Sequence, residues 1–338
     1  MQFLLLVTIA VSLIWNADSW YYGRPEPDAS TQGGVWPLPY NITTGNVVYK
    51  VDPTKFSFTN DQAIKILETA FKRYKRLAFP GFNTATYSDE FEAATLDKLF
   101  VFVDKPPADD EYPSFNMDES YNLKVPNDGN GTAMIYANSV WGALRGLETF
   151  SQLIYQPDLN KYRINSTSVY DKPRFPHRGT LVDSNRHFLS VSILKQHLDL
   201  MAQNKMNVFH WHLMDSESFP YPSKIHPELS EKGAYSPRHK YTPEQVQDII
   251  DYARNRGIRV VPEFDTPGHM GGWRKGNPGL LSECFDYSGN ALLPNIFDPT
   301  KEENFKFMKE FFAEAHNTFK DSYMHFGGDE VSSAMLQC

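Results

Sequence analysis

The sequence predicts an α/β protein in two parts, an N-terminal α/β domain over residues 20–175 and the first half of a (β/α)8 barrel over residues 176–338. Two observations predict this fold. After a proline-rich stretch, YDKPRFPHRG (170–179), strand-like and helix-like segments alternate, which is typical of a parallel sheet. Four successive strand-like segments also end in ionisable residues, and in a barrel such ends converge on one face.

Composition indicates a folded protein and argues against a nucleic-acid partner. Hydrophobic residues make up 41% of the 338 positions and aromatic residues 14%, enough for a sizeable core. The 33 basic and 41 acidic residues give a net charge of -8, and no basic run occurs. Proteins that neutralise phosphates need clustered Lys and Arg, so this class is excluded.

Residues 1–19 are predicted to be a signal peptide. The apolar run FLLLVTIAVSLIW (3–15) is shorter than the ~20 residues that span a bilayer, and small residues follow it at Ala17 and Ser19. The alternative is a buried first strand, because no Lys or Arg precedes the run. No other apolar run is long enough to span a membrane, so we expect no membrane span in the mature product.

Glycosylation sequons and cysteines also bear on the cellular compartment of the protein. Asn-x-Ser/Thr sequences at Asn41, Asn130 and Asn165 support entry into the secretory pathway, with a lysosomal or extracellular destination. The two cysteines, Cys284 and Cys338, form either one disulfide in an oxidising compartment or two unpaired thiols.

The N-terminal domain mixes strands and helices. KLFVFVD (98–104) and ESYNLKV (119–125) are predicted strands. From Ser139 to Ile154, apolar residues at positions 140, 144, 147, 150 and 154 follow the helical period.

The second part alternates four strands with three long helices. Its predicted strands are GTLVDSNR (179–186), MNVFHWHLMD (206–215), IRVVPEFD (258–265) and SYMHFGGDE (322–330). Ser190 caps the first helix, whose apolar face carries Val191, Leu194, Leu198 and Met201. In the second helix, Thr242 is the N-cap, Pro243 the first helical residue and Gln245 the partner in a capping box, and Gly257 ends it. The third helix spans Thr300–Phe319.

The strand ends carry the candidate site. In chain order, the groups are Asp183 and Arg186; His212 and Asp215; Glu263, Asp265 and His269; and Asp329 and Glu330. A single strand-terminal Asp, such as Asp183 or Asp215, often only caps the next helix. Ionisable residues at the ends of four consecutive strands favour an active site instead.

HFGGDEV (325–331) places two carboxylates side by side. Strict strand alternation would send Asp329 and Glu330 to opposite faces, but the glycine pair allows a bend and a close approach to a ligand, so both acids could face one pocket. The alternative is that both acids are solvated. Neighbouring carboxylates in a cleft have their pKa values pushed apart, and an acid beside an ionised group suits the cleavage of a glycosidic bond.

A metal site is the alternative use of these side chains. HWH puts His210 and His212 on one strand face, with the spacing of a barrel metallohydrolase. Such enzymes usually carry the pair on the first strand, whereas here it lies on the second. We therefore predict hydrogen bonds from these histidines to carboxylates, and neither a metal nor a cofactor.

Four motifs in order, GTLVDSNRHFL, FHWHLMDSESFPY, PEFDTPGHM and HFGGDEV, resemble the family 20 glycoside hydrolases, the β-N-acetylhexosaminidases. VWPLP, ESYNLKV and SVWGALRGLETFSQLI resemble the N-terminal domain of that family. The resemblance covers almost the whole chain after the leader. It implies retaining hydrolysis of terminal β-linked GlcNAc or GalNAc from oligosaccharides, glycoproteins or glycolipids, in which the 2-acetamido oxygen of the sugar is the nucleophile.

The resemblance also implies a role for each matching residue. Glu330 would be the general acid and then the base, and Asp329 would hold the acetamido N–H. Arg186, positioned by Asp183, would hold ring hydroxyls of the sugar. The supporting network would comprise Asp215, His269 and His212. The family pattern also implies a disulfide between Cys284 and Cys338, and a homodimer for the full-length form.

The chain departs from the family in length. A (β/α)8 barrel takes about 250 residues, whereas the predicted catalytic part ends after the fourth strand. The second half of the family barrel supplies further walls of the sugar site. We therefore expect a fragment or a natural truncation with little or no activity of its own. A non-catalytic secreted glycan-binding relative and a metal-dependent barrel hydrolase are the alternative functions.

Overall fold

The computed structural model describes residues 34–286 and 288–331. The predicted signal peptide, over residues 1–19, and Cys338 therefore lie outside the described residues.

A seven-stranded mixed sheet forms the first unit, with the order β1-β7-β4-β5-β3-β2, and β6 pairs with β7 outside this order. The β2–β3 and β3–β5 pairs are parallel and the remaining pairs antiparallel. The strands are β1 (Asn41–Lys50), β2 (Ser57–Thr59), β3 (Lys98–Lys105), β4 (Tyr121–Val125), β5 (Thr132–Ser139), β6 (Tyr155–Asp158) and β7 (Lys161–Asp171). The strands predicted at 98–104 and 119–125 are confirmed as β3 and β4.

Two helices, α1 (Lys65–Leu77) and α2 (Val140–Leu153), belong to this unit. The predicted helix at 139–154 is confirmed as α2. The Ser139 hydroxyl accepts from the backbone N–H groups of Trp141 and Gly142 at 3.1 and 3.3 Å, which satisfies two donors that lack helical partners. A Cβ at Gly142 would overlap the carbonyl oxygen of Ser120, so only glycine allows α2 to approach β4 this closely.

Three parallel strands in the order β8-β9-β10 form the second sheet. They are β8 (Gly179–Asp183), β9 (Val208–Met214) and β10 (Arg259–Phe264). The helices of this unit are α3 (Val191–Gln203), α4 (Glu228–Gly233), α5 (Pro243–Arg254), α6 (Gly271–Arg274) and α7 (Glu302–Thr318), and a small hairpin consists of β11 (Cys284–Phe285) and β12 (Ala291–Leu292). The three predicted strands and three long helices are therefore confirmed, including the capping box at the start of α5.

The fourth predicted strand, at 322–330, is wrong as a regular strand. The segment makes one isolated parallel bridge, between His325 and Glu263. Its hydrogen bonds to β10 include His325 N–H to the Pro262 carbonyl at 2.9 Å. Extended pairing stops after Phe326 because Gly327 and Gly328 have φ angles of 72° and 109°, which turn the backbone away from the β10 edge.

A buried carboxylate, Glu119, joins the two units. It accepts from Arg145 Nε at 2.8 Å, from Arg178 Nη2 at 2.7 Å and from Asn207 Nδ2 at 2.9 Å. Arg145 also donates to the carbonyl oxygen of Gly257 at 2.8 Å. Arg178, Asn207 and Gly257 directly precede or lie within two residues of β8, β9 and β10, so the first unit holds the amino ends of the strands and leaves their carboxyl ends free.

The predicted sequons differ in accessibility. Asn41 and Asn130 are exposed, whereas Asn165 is half-buried and its side-chain oxygen accepts from the Tyr155 hydroxyl at 2.9 Å. None of the helices in the described part of the chain combines the length and the apolar character that crossing a membrane requires.

Candidate active site

The carboxyl ends of the three parallel strands and the segment after His325 meet at one rim. Asp183 ends β8, Asp215 follows β9, and His269 lies in the loop after β10. The Asp215 and His269 side chains are in hydrogen-bond contact, and His269 reaches Glu330. Tertiary structure therefore brings the predicted residues from four segments together.

Asp215 is the buried centre of this group, with no solvent exposure. His269 Nδ1 lies 3.0 Å from its Oδ1, and His212 Nε2 lies 3.2 Å from its Oδ2. Burial alone would raise the pKa of Asp215. The contact with His212, the Ser216 N–H and the charges of His269 and Arg186 outweigh burial and lower the pKa to about 2. Asp215 is thus a fixed negative charge beneath the site.

Arg186 lies above Asp215 and its side chain is 41% exposed. Its Nη1 donates to Asp183 Oδ2 at 2.7 Å, and its Nη2 lies 2.6 Å from Asp215 Oδ2 as an ion pair without hydrogen-bond alignment. Asp183 also accepts hydrogen bonds from the backbone N–H groups of Asn185 and Arg186. The same carboxylate therefore caps the turn after β8 and orients the guanidinium of Arg186. Burial opposes ionisation of Asp183, but the Arg186 contacts lower its pKa below the ordinary value.

Glu217 was not predicted as a site residue, although its carboxylate lies 3.6 Å from Arg186 Nε. The only sequence signal is its position in the DSES turn that follows β9.

His269 connects the buried Asp215 to the acid pair. Its Nε2 lies 3.2 Å from Glu330 Oε2 and 3.8 Å from Asp329 Oδ2, so both neighbouring acids face the same imidazole nitrogen. The side chains of Asp329 and Glu330 are 66% and 77% exposed. His269 and Glu330 both have positive φ angles, 54° and 52°. This backbone conformation is uncommon for residues other than glycine and often marks functional sites.

The glycine turn allows this arrangement by passing directly over Asp265. A Cβ at Gly327 would overlap Asp265 Oδ1, and the Gly328 N–H donates to the same oxygen at 3.3 Å. Burial and then the charge of Asp329 raise the pKa of Asp265 to about 6. The sequence placed Asp265 at a strand end but gave it no role; its role as the support of the turn depends on a contact across 63 positions.

A second cluster lies around Glu263, one residue before the end of β10. His210 Nε2 lies 2.6 Å from its Oε2, and His325 Nδ1 lies 3.0 Å from its Oε1. Burial opposes ionisation of Glu263, but the contact with His210 and the charges of His212 and His325 lower its pKa. By distance alone, three groups of described residues could hold a metal ion: His210, Glu263 and His325; His212, Asp215 and Asp265; and Asp265, His269 and Asp329.

The predicted disulfide has one partner among the described residues. Cys284 is buried in β11. Cys338 lies outside the described residues, so the pairing remains a prediction.

Comparisons with known proteins identify both units. The model for "Glycosyl hydrolase family 20, catalytic domain" matches residues 175–337, and the model for "beta-acetyl hexosaminidase like" matches residues 35–153. Beta-hexosaminidase A of Caenorhabditis elegans is 43% identical over 99% of this chain and 60% of the relative. The human beta-hexosaminidase subunit beta is 42% identical over 91% of this chain and 56% of the relative.

Solved structures agree in fold. The Flavobacterium johnsoniae chitobiase superimposes with a TM-score of 0.72 and 32% identity, covering 88% of this chain and 44% of the chitobiase. A family 20 exo-β-N-acetylglucosaminidase from Vibrio harveyi, solved with N-acetylglucosamine, has a TM-score of 0.70 at 24% identity, covering 93% of this chain and 50% of that enzyme. These neighbours combine an N-terminal domain with a (β/α)8 barrel, and this chain has the first domain and the first part of the barrel.

The chain spans about 60% of the length of the curated relatives it matches. With two family models covering its two units and relatives above 40% identity, the chain belongs to glycosyl hydrolase family 20.

Proposed function

We propose that this chain carries the acid–base half of a β-N-acetylhexosaminidase site, which removes terminal β-linked GlcNAc or GalNAc from oligosaccharides, glycoproteins or glycolipids. The observation that carries the proposal is the series of contacts from Asp215 through His269 to Glu330, with Asp329 beside it. An acid pair, a histidine and a buried fixed charge in this order suit proton transfer to a leaving oxygen.

In the proposed reaction, the acetamido oxygen of the sugar attacks the anomeric carbon as the glycosidic bond breaks. The Glu330 carboxyl gives its proton to the departing oxygen, and a cyclic oxazolinium ion forms. Asp329 accepts the acetamido N–H and balances the positive charge. Water then opens the ring, giving its proton to the Glu330 carboxylate, so the configuration is retained. The enzyme needs no nucleophile of its own, which accounts for the two adjacent acids.

The buried groups orient this machinery. An ionised Asp215 accepts the Nδ1–H of His269 and so directs Nε2 towards Glu330. Arg186, held by Asp183, presents N–H donors from the same rim to the sugar hydroxyls.

We expect a low rate from the chain as it stands. Because Asp329 and Glu330 are 66% and 77% exposed, water screens the charges that should stabilise the transition state. Rapid turnover by the purified chain would show that this expectation is wrong.

Hydrolysis of an aryl β-N-acetylglucosaminide tests the proposal, both with the chain and with a chimaera in which residues 34–331 replace the matching segment of Caenorhabditis elegans beta-hexosaminidase A. Glu330→Gln should lower the rate of the chimaera by about 100-fold or more, since general acid catalysis typically contributes that much. Glu303→Gln, an exposed change of the same kind in α7, is the control.

An aryl β-glucoside, which lacks the acetamido group, should not be cleaved by the chimaera. Full activity of Glu330→Gln, or equal cleavage of the glucoside, would contradict the proposal. Loss of activity with a chelator would instead favour the metal-dependent alternative, built on His210, Glu263 and His325. Retained sugar binding without any hydrolysis by the chimaera would favour the glycan-binding alternative.

We also propose entry into the secretory pathway, with a lysosomal or extracellular destination, and a homodimer for the full-length form. The leader-like residues 1–19 and the exposed Asn41 and Asn130 support the first proposal. Material from secreting eukaryotic cells should lose mass on removal of N-glycans, and Asn130→Gln should remove one step of that loss. If Asn130→Gln leaves the mass lost on removal of N-glycans unchanged, Asn130 is not glycosylated. Sedimentation of the full-length form would establish its oligomeric state.

A further inference from the structure

A cavity of about 280 Å³ lies between the two units, away from the candidate active site. Its walls come from α1 and α2 on one side and from α3 and the α5–β10 turn on the other. Because Arg256 precedes β10, the cavity is near the amino ends of the parallel strands, whereas Glu330 lies beyond their carboxyl ends. We call it the arginine cavity after Arg73, Arg76 and Arg256, which line it.

The buried guanidinium of Arg256 has a single carboxylate partner. Arg256 is 7% exposed; its Nε and Nη2 each lie 2.7 Å from Asp199 Oδ1, and its Nη1 donates to the Tyr252 carbonyl at 3.0 Å. Burial, reinforced by the nearby charge of Arg73, lowers the pKa of Arg256 below its ordinary value. The cavity therefore holds two like charges close together in a desolvated place.

The second carboxyl group in the cavity wall, that of Glu148, is a weak counter-charge for these two guanidinium groups. Glu148 is 4% exposed, and its two oxygens accept from the Tyr74 hydroxyl at 3.1 Å and from Gln152 Nε2 at 2.8 Å. Burial raises the pKa of Glu148 above its ordinary value, which makes it a weaker source of negative charge.

Arg73 and Arg76 lack a carboxylate partner among the described residues. Arg73 donates only from Nη1, to the Asn255 carbonyl at 3.3 Å, and its buried Nε has no hydrogen-bond acceptor in the described part of the chain. Arg76 is exposed and lies where the wall of the cavity reaches solvent. Two positive charges without an ion-pair partner among the described residues thus face one hollow in a protein whose net charge is -8.

We propose that the arginine cavity binds a phosphate group. A phosphate carries a charge of about -1.5 to -2 and three acceptor oxygens, which matches two guanidinium groups that make no ion pair among the described residues. Planar guanidinium forks bind phosphate oxygens in pairs, and the third guanidinium, that of Arg256, lines the same cavity. At about 30 Å³ per water molecule, the volume equals about nine waters, so a phosphate and part of an attached molecule fit.

Calorimetric titration and thermal unfolding of the whole chain test this, with inorganic phosphate and a hexose 6-phosphate as separate probes. Sodium chloride at equal ionic strength controls for screening. Binding of both probes, or of one alone, supports the site and identifies free phosphate or a phosphate ester as its ligand. If neither probe raises the unfolding temperature more than chloride does, the proposal is wrong.

Charge-matched variants of α1 locate the site. Arg73→Gln with Arg76→Gln should weaken phosphate binding by about tenfold or more, since each guanidinium removed costs at least one charge-assisted contact. Lys72→Gln with Lys75→Gln removes the same charge from exposed positions outside the cavity and should leave the affinity unchanged.

The exposed Arg76→Gln alone should fold normally and still weaken binding. Equal losses in the arginine and lysine variants would mean a diffuse surface effect and would overturn the proposal, as would normal phosphate affinity in the arginine pair.

Discussion

Replacing Glu119 with Gln removes the buried charge that joins the two units. The change leaves Arg145, whose side chain is 4% exposed, without its carboxylate, and leaves one acceptor oxygen where Arg178 now makes two hydrogen bonds, at 2.7 and 3.1 Å. Removing one partner of a buried ion pair costs about 3–5 kcal/mol. Because Gln keeps one oxygen acceptor for these donors, we expect a loss of about 3 kcal/mol. At about 2.1 cal/mol/K of unfolding entropy per residue, this loss lowers the Tm by about 4 °C.

Urea unfolding followed by circular dichroism and by tryptophan fluorescence measures this loss. Asp109→Asn is the matched control, because Asp109 and its partner Lys65 are 86% and 81% exposed and such pairs contribute less than about 1 kcal/mol. A loss of less than about 1 kcal/mol for Glu119→Gln would refute the reasoning that Glu119 is the central partner of buried charges.

The stabilisation by Glu119 should also depend on pH. Burial opposes its ionisation, but Arg145 and Arg178 lower its pKa below the ordinary 4.5. A lowered carboxylate pKa stabilises the fold above the unfolded value and loses that effect as the pH falls through the folded value. The difference in unfolding free energy between wild type and Glu119→Gln should therefore be largest at pH 7 and shrink in strong acid. A difference that grows on acidification would contradict the lowered pKa of Glu119.

Three further predictions concern the site and its surroundings. Gly327→Ala combines strain at a φ of 72° with overlap against Asp265, so it should lower the stability towards urea more than Gly81→Ala does. Gly81 has a φ of 71° and open space around it. Equal losses of stability would show that Gly327 does not pack against Asp265. Asp265→Asn should raise the Tm more at pH 7 than at pH 4, since a carboxyl pKa raised from 3.8 to about 6 makes the charged form destabilising as the pH rises through this interval; the opposite order would contradict the pKa. Cys284 and Cys338 should resist alkylation until reduced, as a mass shift would show, and two thiols that react without reductant would exclude the disulfide.

Local patterns were enough for most helices and strands. The capping box at Thr242, the Ser139 cap and the alternating apolar positions of β4 each involve residues a few positions apart, and such short-range preferences survive in the folded protein. The same reasoning failed at 322–330, because strand pairing depends on a partner edge and on the backbone angles of Gly327 and Gly328 rather than on local β propensity.

The candidate residues themselves were visible in the chain as ionisable groups at strand ends, since a parallel sheet brings those ends to one rim. Their partners were not. Contacts of Glu119 with Arg178 span 59 positions, those of Asp215 with His269 span 54, and that of Arg73 with Asn255 spans 182. Only the packing of whole elements decides which charges meet over such separations, because burial and neighbouring charge, unlike helical or strand periodicity, have no signature in a short stretch of sequence.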